Sequence, residues 1–319
     1  MADAAPLIDI PAAPVPERGG AEWFKGADGA RLRAALFQPA AAPRGSVVVS
    51  PGRTEAIEKY FEVVRELQDR GFVVLVHDWR GQGLSARLLK DRLKGHARGF
   101  RPFVADLREL LDVFGPRLPK PWLTIGHSMG GCLTLMALAL GEERFDGAVL
   151  SAPMLGLLTG PIPHPVGVAI AATLSTVGLG GLPMAARSAS PIHVAFEDNI
   201  LTHDAARYAR NQAQIDACSD LALGGPTWGW LNFAFSAIAL LSTGKAVTQI
   251  KTPLVVVAAM ADKIISVEAT RAVTARVPGS RFVEAPGAYH EILQETDDIR
   301  AVFWREFDAL AARIAPKAL

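Results

Sequence analysis

Short runs of β-branched residues alternate with longer amphipathic segments along most of the chain, the pattern of strands joined by helices in a largely parallel sheet. The strand-like runs are Arg31–Phe37, Ser46–Ser50, Phe72–His77, Trp122–Gly126, Gly147–Ser151, Leu254–Ala259 and Arg281–Glu284. Apolar residues spaced three and four apart predict helices over Glu55–Gln68, Phe103–Phe114, Ser128–Ala139, Val267–Val277 and Asp297–Ile314. The alternation fails between Pro153 and Val247, where the chain turns Gly- and Pro-rich before strand-like residues resume at Leu254. Two apolar pieces, Val166–Leu182 and Trp228–Leu241, flank a polar stretch from Glu197 to Asp220 there.

This interruption divides the chain into an expected α/β core, residues 21–152 and 248–319, and an insertion, residues 153–247. A length of 319 residues accommodates one large α/β domain carrying such an insertion. Met1–Gly20 is rich in Ala and Pro, carries Asp3 and Asp9, and has no apolar run behind a basic start. It is expected to be a flexible arm (residues 1–20) and not a signal peptide. The 40 residues from Gly147 to Ala186 contain no Asp, Glu, Lys or Arg, but five prolines break them. The least broken piece, Val166–Leu182, is diluted by Gly, Ser and Thr below the hydrophobicity of a spanning helix. A balance of 33 basic against 32 acidic side chains gives no reason to expect a nucleic-acid partner. Cys132 and Cys218 are too few for a disulfide scaffold and too far apart for a zinc site, so no metal or other cofactor is expected.

The candidate chemistry starts at Trp122-Leu-Thr-Ile-Gly126-His127-Ser128-Met129-Gly130-Gly131, an apolar strand running through Gly-x-Ser-x-Gly into a helix rich in Leu and Ala. Such a turn forces the serine backbone into strain, and Gly126 and Gly130 lack the β-carbons that would collide on either side. Ser128 then stands above the sheet as a candidate nucleophile. Its hydroxyl needs a base, and the base needs a third group to fix its tautomer. After an elbow of this kind the partners follow in the order acid, then histidine. Leu254–Asp262 is a buried-strand pattern ending in a carboxylate, and Arg281–His290 is a shorter strand followed by a loop histidine. Asp297 and Asp298, the nearby rivals to Asp262, look like helix-start residues. Of seven histidines, His127 sits in the elbow, His77 and His96 precede Ser128, and His164, His193 and His203 fall in the insertion. His290 alone has both the order and the strand-end loop.

An oxyanion needs backbone donors, one of them from the residue after the nucleophile, here Met129. Val47–Glu55 reads as a strand, a Gly-containing loop and a helix start, which offers the Arg53 amide as the second. The Arg53 guanidinium is left either to solvent or to an anionic headgroup.

Together these residues resemble the lysophospholipase and monoacylglycerol lipase branch of the α/β-hydrolases, particularly the bacterial lysophospholipase L2 type, a serine aminopeptidase S33-type hydrolase domain. The resemblance extends to Ser50–Glu55 with Lys59-Tyr60, Asp78–Ser85, Gly287–Leu293, Leu201–Asp204 with Arg207-Tyr208 and Arg210-Asn211, and Gly224–Trp230. It covers residues 20 to 315. It implies an α/β-hydrolase fold, with a mostly parallel eight-stranded sheet, flanking helices and an inserted helical cap over the serine. It also implies hydrolysis of single-acyl glycerolipids, lysophospholipid or monoacylglycerol, through an acyl-enzyme intermediate. Pro51-Gly52 stands where the monoacylglycerol lipases usually begin their oxyanion loop with His-Gly, which suits the lysophospholipase subgroup better. Asp78 and Arg80 are expected to hold their loop together, not to touch substrate.

An acyl chain needs an apolar slot, and Leu155, Leu157, Leu158, Ile162, Val166 and Ile170 are candidates for its walls, with Tyr208 and Trp228 as further pocket candidates. Exposed Leu and Ile on the cap would also serve peripheral contact with a membrane or micelle, in keeping with an expected cytoplasmic location at the inner membrane surface. A broad carboxylesterase or a peptidase is compatible with the same three residues. A non-catalytic lipid-binding protein on this scaffold is disfavoured by the intact set.

Overall fold

In the computed structural model, which describes residues 3–160, 162–184 and 194–316, the Val-rich runs lie side by side at the centre of one sheet. Its strands are β1 (Asp3–Ala5), β2 (Gly19–Lys25), β3 (Arg31–Phe37), β4 (Gly45–Ser50), β5 (Phe72–His77), β6 (Trp122–His127), β7 (Gly147–Ser151), β8 (Leu254–Ala259) and β9 (Arg281–Ala285). They are ordered β1-β2-β3-β5-β4-β6-β7-β8-β9, antiparallel from β1 to β5 and parallel from β5 to β9. Alternation along the central strands divides the core. Val47, Val49, Val74 and Val76 point into one layer with helices α1 (Phe61–Asp69) and α8 (Asp297–Ile314). Val48, Val73 and Leu75 point into the other, with α2 (Arg101–Phe114) and α3 (Met129–Ala139). Burial on both faces is why these strands read as unbroken apolar runs.

Nine strands replace the expected eight, and the difference lies in the N-terminal segment. Of residues 1–20, expected to be a flexible arm, residues 3–20 instead fold along the domain: Asp3 pairs with Trp23, Ala5 with Ala21, and Gly19 already begins β2. Between these strands Ala13 is buried, Ile8 N donates to Glu58 Oε1 at 3.2 Å, and Arg33 donates to the Pro6 carbonyl at 2.9 Å. The start of the first core helix also shifts. A 3₁₀ turn occupies Ile57–Tyr60 and α1 begins at Phe61, while upstream the Glu55 carboxylate folds back to accept from Gly52 N.

Between β7 and β8 the chain leaves the sheet and forms α4 (His164–Thr176), α5 (Ala205–Ala217) and α6 (Trp228–Thr243). Side-chain caps set two of these starts, Asp204 accepting from Arg207 N and Thr227 accepting from Trp230 N. Helix α7 (Val267–Thr274) follows β8 and starts on Ser266, which accepts from Ala269 N. Among the described residues no helix is long and apolar enough to cross a membrane. Both cysteines are free thiols.

Candidate active site

Parallel register brings the carboxyl ends of the central strands to one edge: Ser50 lies beside Gly126, His127 beside Ser151, and Ala259 beside Ala285. The loops leaving that edge carry Arg53, Ser128, Asp262 and His290. Ser128 sits between β6 and α3 at φ 49° and ψ −115°, a conformation costly for a residue with a β-carbon. The surrounding bonds hold it there. Ser128 N donates to Ser151 O at 3.0 Å, and its own carbonyl accepts from Met154 N at 2.9 Å and Cys132 N at 3.0 Å. A β-carbon at Gly130 would lie 2.1 Å from Ser50 O, and one at Gly126 would lie 2.8 Å from the Gly131 Cα. Both glycines therefore let the elbow close on its neighbours.

The three side chains singled out from the sequence meet in space. The Ser128 hydroxyl is 2.8 Å from His290 Nε2, and His290 Nδ1 is 2.7 Å from Asp262 Oδ2. The other carboxylate oxygen of Asp262 accepts from Ile264 N at 2.8 Å and Ile265 N at 3.0 Å. Burial alone would favour the neutral acid, but the bond from His290 and these two amides outweigh it and hold the Asp262 carboxyl below its usual range. An ionised Asp262 keeps the proton on Nδ1 and leaves Nε2 as an acceptor toward the serine. The arrangement is thus able to draw the proton from the Ser128 hydroxyl. Burial lowers His127, the histidine beside the nucleophile, and the nearby Glu55 carboxylate only partly offsets this.

The loop after β4 is braced from below. Glu55 Oε2 accepts from Gly52 N and, at 2.6 Å, from the Tyr60 hydroxyl, while Lys59 Nζ bridges Glu55 at 2.9 Å and Glu291 at 2.6 Å. Burial opposes the charge on Glu55, but Lys59 prevails and draws its carboxyl down to about 2. Gln82 donates to Gly52 O at 2.8 Å and accepts from Thr54 N at 3.2 Å, so the loop is held on both sides of Arg53. The amides of Arg53 and Met129 have no acceptor among the described residues. Glu55, Lys59, Tyr60 and Gln82 all lie in quoted motifs, but their joint bracing of this loop depends on contacts that sequence spacing does not display. Asp78 and Arg80 do hold their loop: Asp78 accepts from Arg33, Ile57 N and Leu84 N, and Arg80 pairs with Asp106 and Asp28.

Above Ser128 and His290 opens a cavity of about 400 Å³ with mainly apolar walls. Met154, Leu157, Ile264, Ile265 and Leu223 supply much of the wall, and Tyr208 lines it as expected from its position. Six other pocket expectations are corrected, among them Val166 and Ile170, both exposed on α4. Leu155 is fully buried in the core and not at the cavity. Leu158 is 52% exposed, because Leu157 bridges to Ile265 in extended form and the next side chain points to the opposite face. Ile162 is exposed on the outer surface. Trp228 gives way to Trp230, which lies about 200° further round the start of α6 and faces inward. His193 lies outside the described residues.

Residues 41–297 match the family model described as serine aminopeptidase, S33. Lysophospholipase L2 of Escherichia coli is 31% identical over 304 residues, covering 88% of this chain and 83% of that protein. The monoacylglycerol lipase of Mycolicibacterium smegmatis is 27% identical, covering 86% of this chain and 91% of that protein. Among solved structures, a soluble variant of the Saccharomyces cerevisiae monoglyceride lipase in complex with a substrate analog superposes with a TM-score of 0.73. It is 18% identical and covers 93% of this chain and 97% of that one, a likeness of fold.

Proposed function

The chain belongs to the serine aminopeptidase S33 family of α/β-hydrolases, and on that premise we propose that it hydrolyses carboxylic esters of single-acyl glycerolipids, lysophospholipid or monoacylglycerol, through an acyl-enzyme intermediate. The observation that carries the reading is the Ser128–His290–Asp262 relay at the floor of a mainly apolar cavity. His290 Nε2 takes the hydroxyl proton as Ser128 Oγ attacks the ester carbonyl. The Arg53 and Met129 amides hold the resulting oxyanion, and Asp262 stabilises the imidazolium. Collapse breaks the ester C–O bond, and His290 returns its proton to the departing glycerol oxygen. Water, deprotonated in turn by His290, attacks the acyl-serine; collapse breaks the acyl–Oγ bond, His290 returns the proton to Ser128 Oγ, and the fatty acid leaves. Residues 153–247 act as the cap over this chemistry, and the outward apolar residues of α4 provide peripheral contact with a membrane or micelle at the inner membrane surface.

The names of the relatives support this substrate class, and a likeness to a Bacillus coagulans carboxyl esterase, TM-score 0.72 at 19% identity, extends to the fold. The test sets monoacylglycerol, lysophosphatidylcholine, lysophosphatidylethanolamine and short p-nitrophenyl esters side by side, with Ser128→Ala as control. Ser128→Ala is expected to abolish hydrolysis and fluorophosphonate labelling while leaving the protein folded. Persistent turnover in that variant refutes the nucleophile, and turnover of short esters alone makes the protein a broad carboxylesterase.

A further inference from the structure

Among the described residues, one cation on the cavity wall has no counter-ion. Lys59 is neutralised by Glu55 and Glu291, and the carboxylate of Glu55 is further occupied by Gly52 N and Tyr60. Asp198, the third acid of the lining, is exposed to solvent. Arg53 differs. Its Nη2 donates to the Gly224 carbonyl at 2.5 Å, and its guanidinium lies 5.1 Å from the Trp230 ring centroid. Its buried Nε has no partner, and no carboxylate lies within ion-pair distance among the described residues. Glycine makes room for the group, since a β-carbon at Gly95 would lie 2.4 Å from Nη2. Burial without a counter-ion pulls Arg53 down to about 10, so it remains charged at neutral pH.

A guanidinium has five N–H donors in a planar fork, and here one is satisfied by protein. Leaving such a group desolvated and unpaired is costly, and an anion with two oxygens in its plane removes the cost. Thr54, Asn199, Asn211, Gln212 and Tyr208 add uncharged polar groups to an otherwise mainly apolar lining, and Asp198 is its one carboxylate not paired with Lys59. We infer that the Arg53 side chain is the receptor for the phosphodiester of a lysophospholipid headgroup, and so the residue that sets preference for phosphorylated over neutral glycerolipids. The inference rests on the ester-hydrolase reading above and adds the headgroup to it. One residue then spans the glycerol backbone, its amide at the ester oxyanion and its guanidinium a side chain's length away at the phosphate.

The test is a selectivity ratio, because Arg53 also contributes its amide to the chemistry and any common effect cancels. For 1-oleoyl lysophosphatidylethanolamine and 1-monooleoylglycerol in the same detergent micelles, kcat/KM is measured for the unaltered protein, Arg53→Met, Arg53→Lys and Gly95→Ala. Gly95→Ala displaces the guanidinium without altering residue 53. The ratio is expected to fall about tenfold or more in Arg53→Met, the loss of a charge-assisted bond. It should fall in the same direction in Gly95→Ala and recover in part in Arg53→Lys. A ratio within twofold of the unaltered protein in folded Arg53→Met and Gly95→Ala overturns the inference.

A second arm separates it from the parent reading. Hydrolysis of p-nitrophenyl butyrate is measured against sn-glycerol 3-phosphate, inorganic phosphate and glycerol. Inhibition by glycerol 3-phosphate that Arg53→Met removes supports the headgroup site, even if no lipid is hydrolysed. Equal inhibition by inorganic phosphate assigns the site to free phosphate and overturns the headgroup assignment, as does inhibition by neither anion.

Discussion

Replacing Glu62 with Gln tests how the insertion is tied to the core. Glu62 lies in the first turn of α1, and its carboxylate receives Arg207 Nη2 at 2.7 Å and Nε at 3.0 Å, Arg210 Nη2 at 2.5 Å and Arg300 Nη1 at 3.4 Å. Arg207 and Arg210 belong to α5 of the insertion, and Arg300 to α8 of the core. Burial raises the cost of this charge, yet the bonds from Arg207 and the charges of Arg300 and Arg210 draw the carboxyl from its ordinary 4.5 to about 2. By linkage that difference amounts to about 3 kcal/mol. The side chain retains 23% exposure, so screening brings the expected loss nearer about 2 kcal/mol. Glu62→Gln keeps the shape and removes the charge. Arg207 retains Asp204 and Asp297, and Arg300 retains Glu66, but Arg210 is left with Gln294 Oε1 at 3.5 Å. Urea denaturation midpoints of both proteins between pH 2.5 and 8 measure the effect. A carboxylate depressed in the folded state stabilises fully above its unfolded value and loses that contribution as pH falls. The difference should therefore hold above pH 4.5 and close between about 4.5 and 2. Equal midpoints at pH 7, or an undiminished gap at pH 2.5, refute the reasoning.

Three further outcomes follow from the site. Asp262→Asn leaves the space filled but no longer fixes the His290 tautomer; kcat on a p-nitrophenyl ester should fall about 10³–10⁴-fold with KM little changed, and a loss under tenfold removes Asp262 from the relay. Gly130→Ala drives a β-carbon against the Ser50 and Pro51 carbonyls, which are backbone and cannot swing aside. It should lower stability by about 3 kcal/mol in thermal melts and abolish fluorophosphonate labelling. Cys132 is fully buried, which pushes its thiol up to about 12, whereas Cys218 is partly exposed. A disulfide exchange reagent should therefore titrate one thiol in the native protein and two after denaturation.

The central strands were legible because burial on both faces demands continuous Val, Ile and Leu, and the order of Ser128, Asp262 and His290 followed from loops leaving strand ends. β2 escaped notice for the converse reason. Only Ala21 and Phe24 of Gly19–Lys25 are buried, and two leading glycines read as linker. β1 is a three-residue strand whose identity depends on its partner, not on its own residues. The bracing of the Arg53 loop was equally hidden, since Glu55, Gln82 and Glu291 are distant in the chain and meet only once β4, β5 and β9 are aligned.

The pocket expectations take the large apolar residues of the insertion to face inward. Helix α4 follows the opposite rule. It buries Gly167 and Ala171, and a β-carbon at Gly167 would lie 3.6 Å from the Phe235 ring of α6. Close approach of two helices selects small side chains at the contact, so the bulky Val166 and Ile170 turn outward, as do Val177, Leu179 and Leu182 beyond the helix. The apolar surface expected to line an acyl slot is thereby spent on the exterior of the insertion, where it suits the proposed peripheral contact with lipid. The cavity's walls come from Leu157, as expected, with Met154 beside it after β7, and from Ile264 and Ile265 after β8. Ile264 and Ile265 are also the residues whose amides fix the Asp262 carboxylate. One short loop thus holds the acid and shapes the cavity wall.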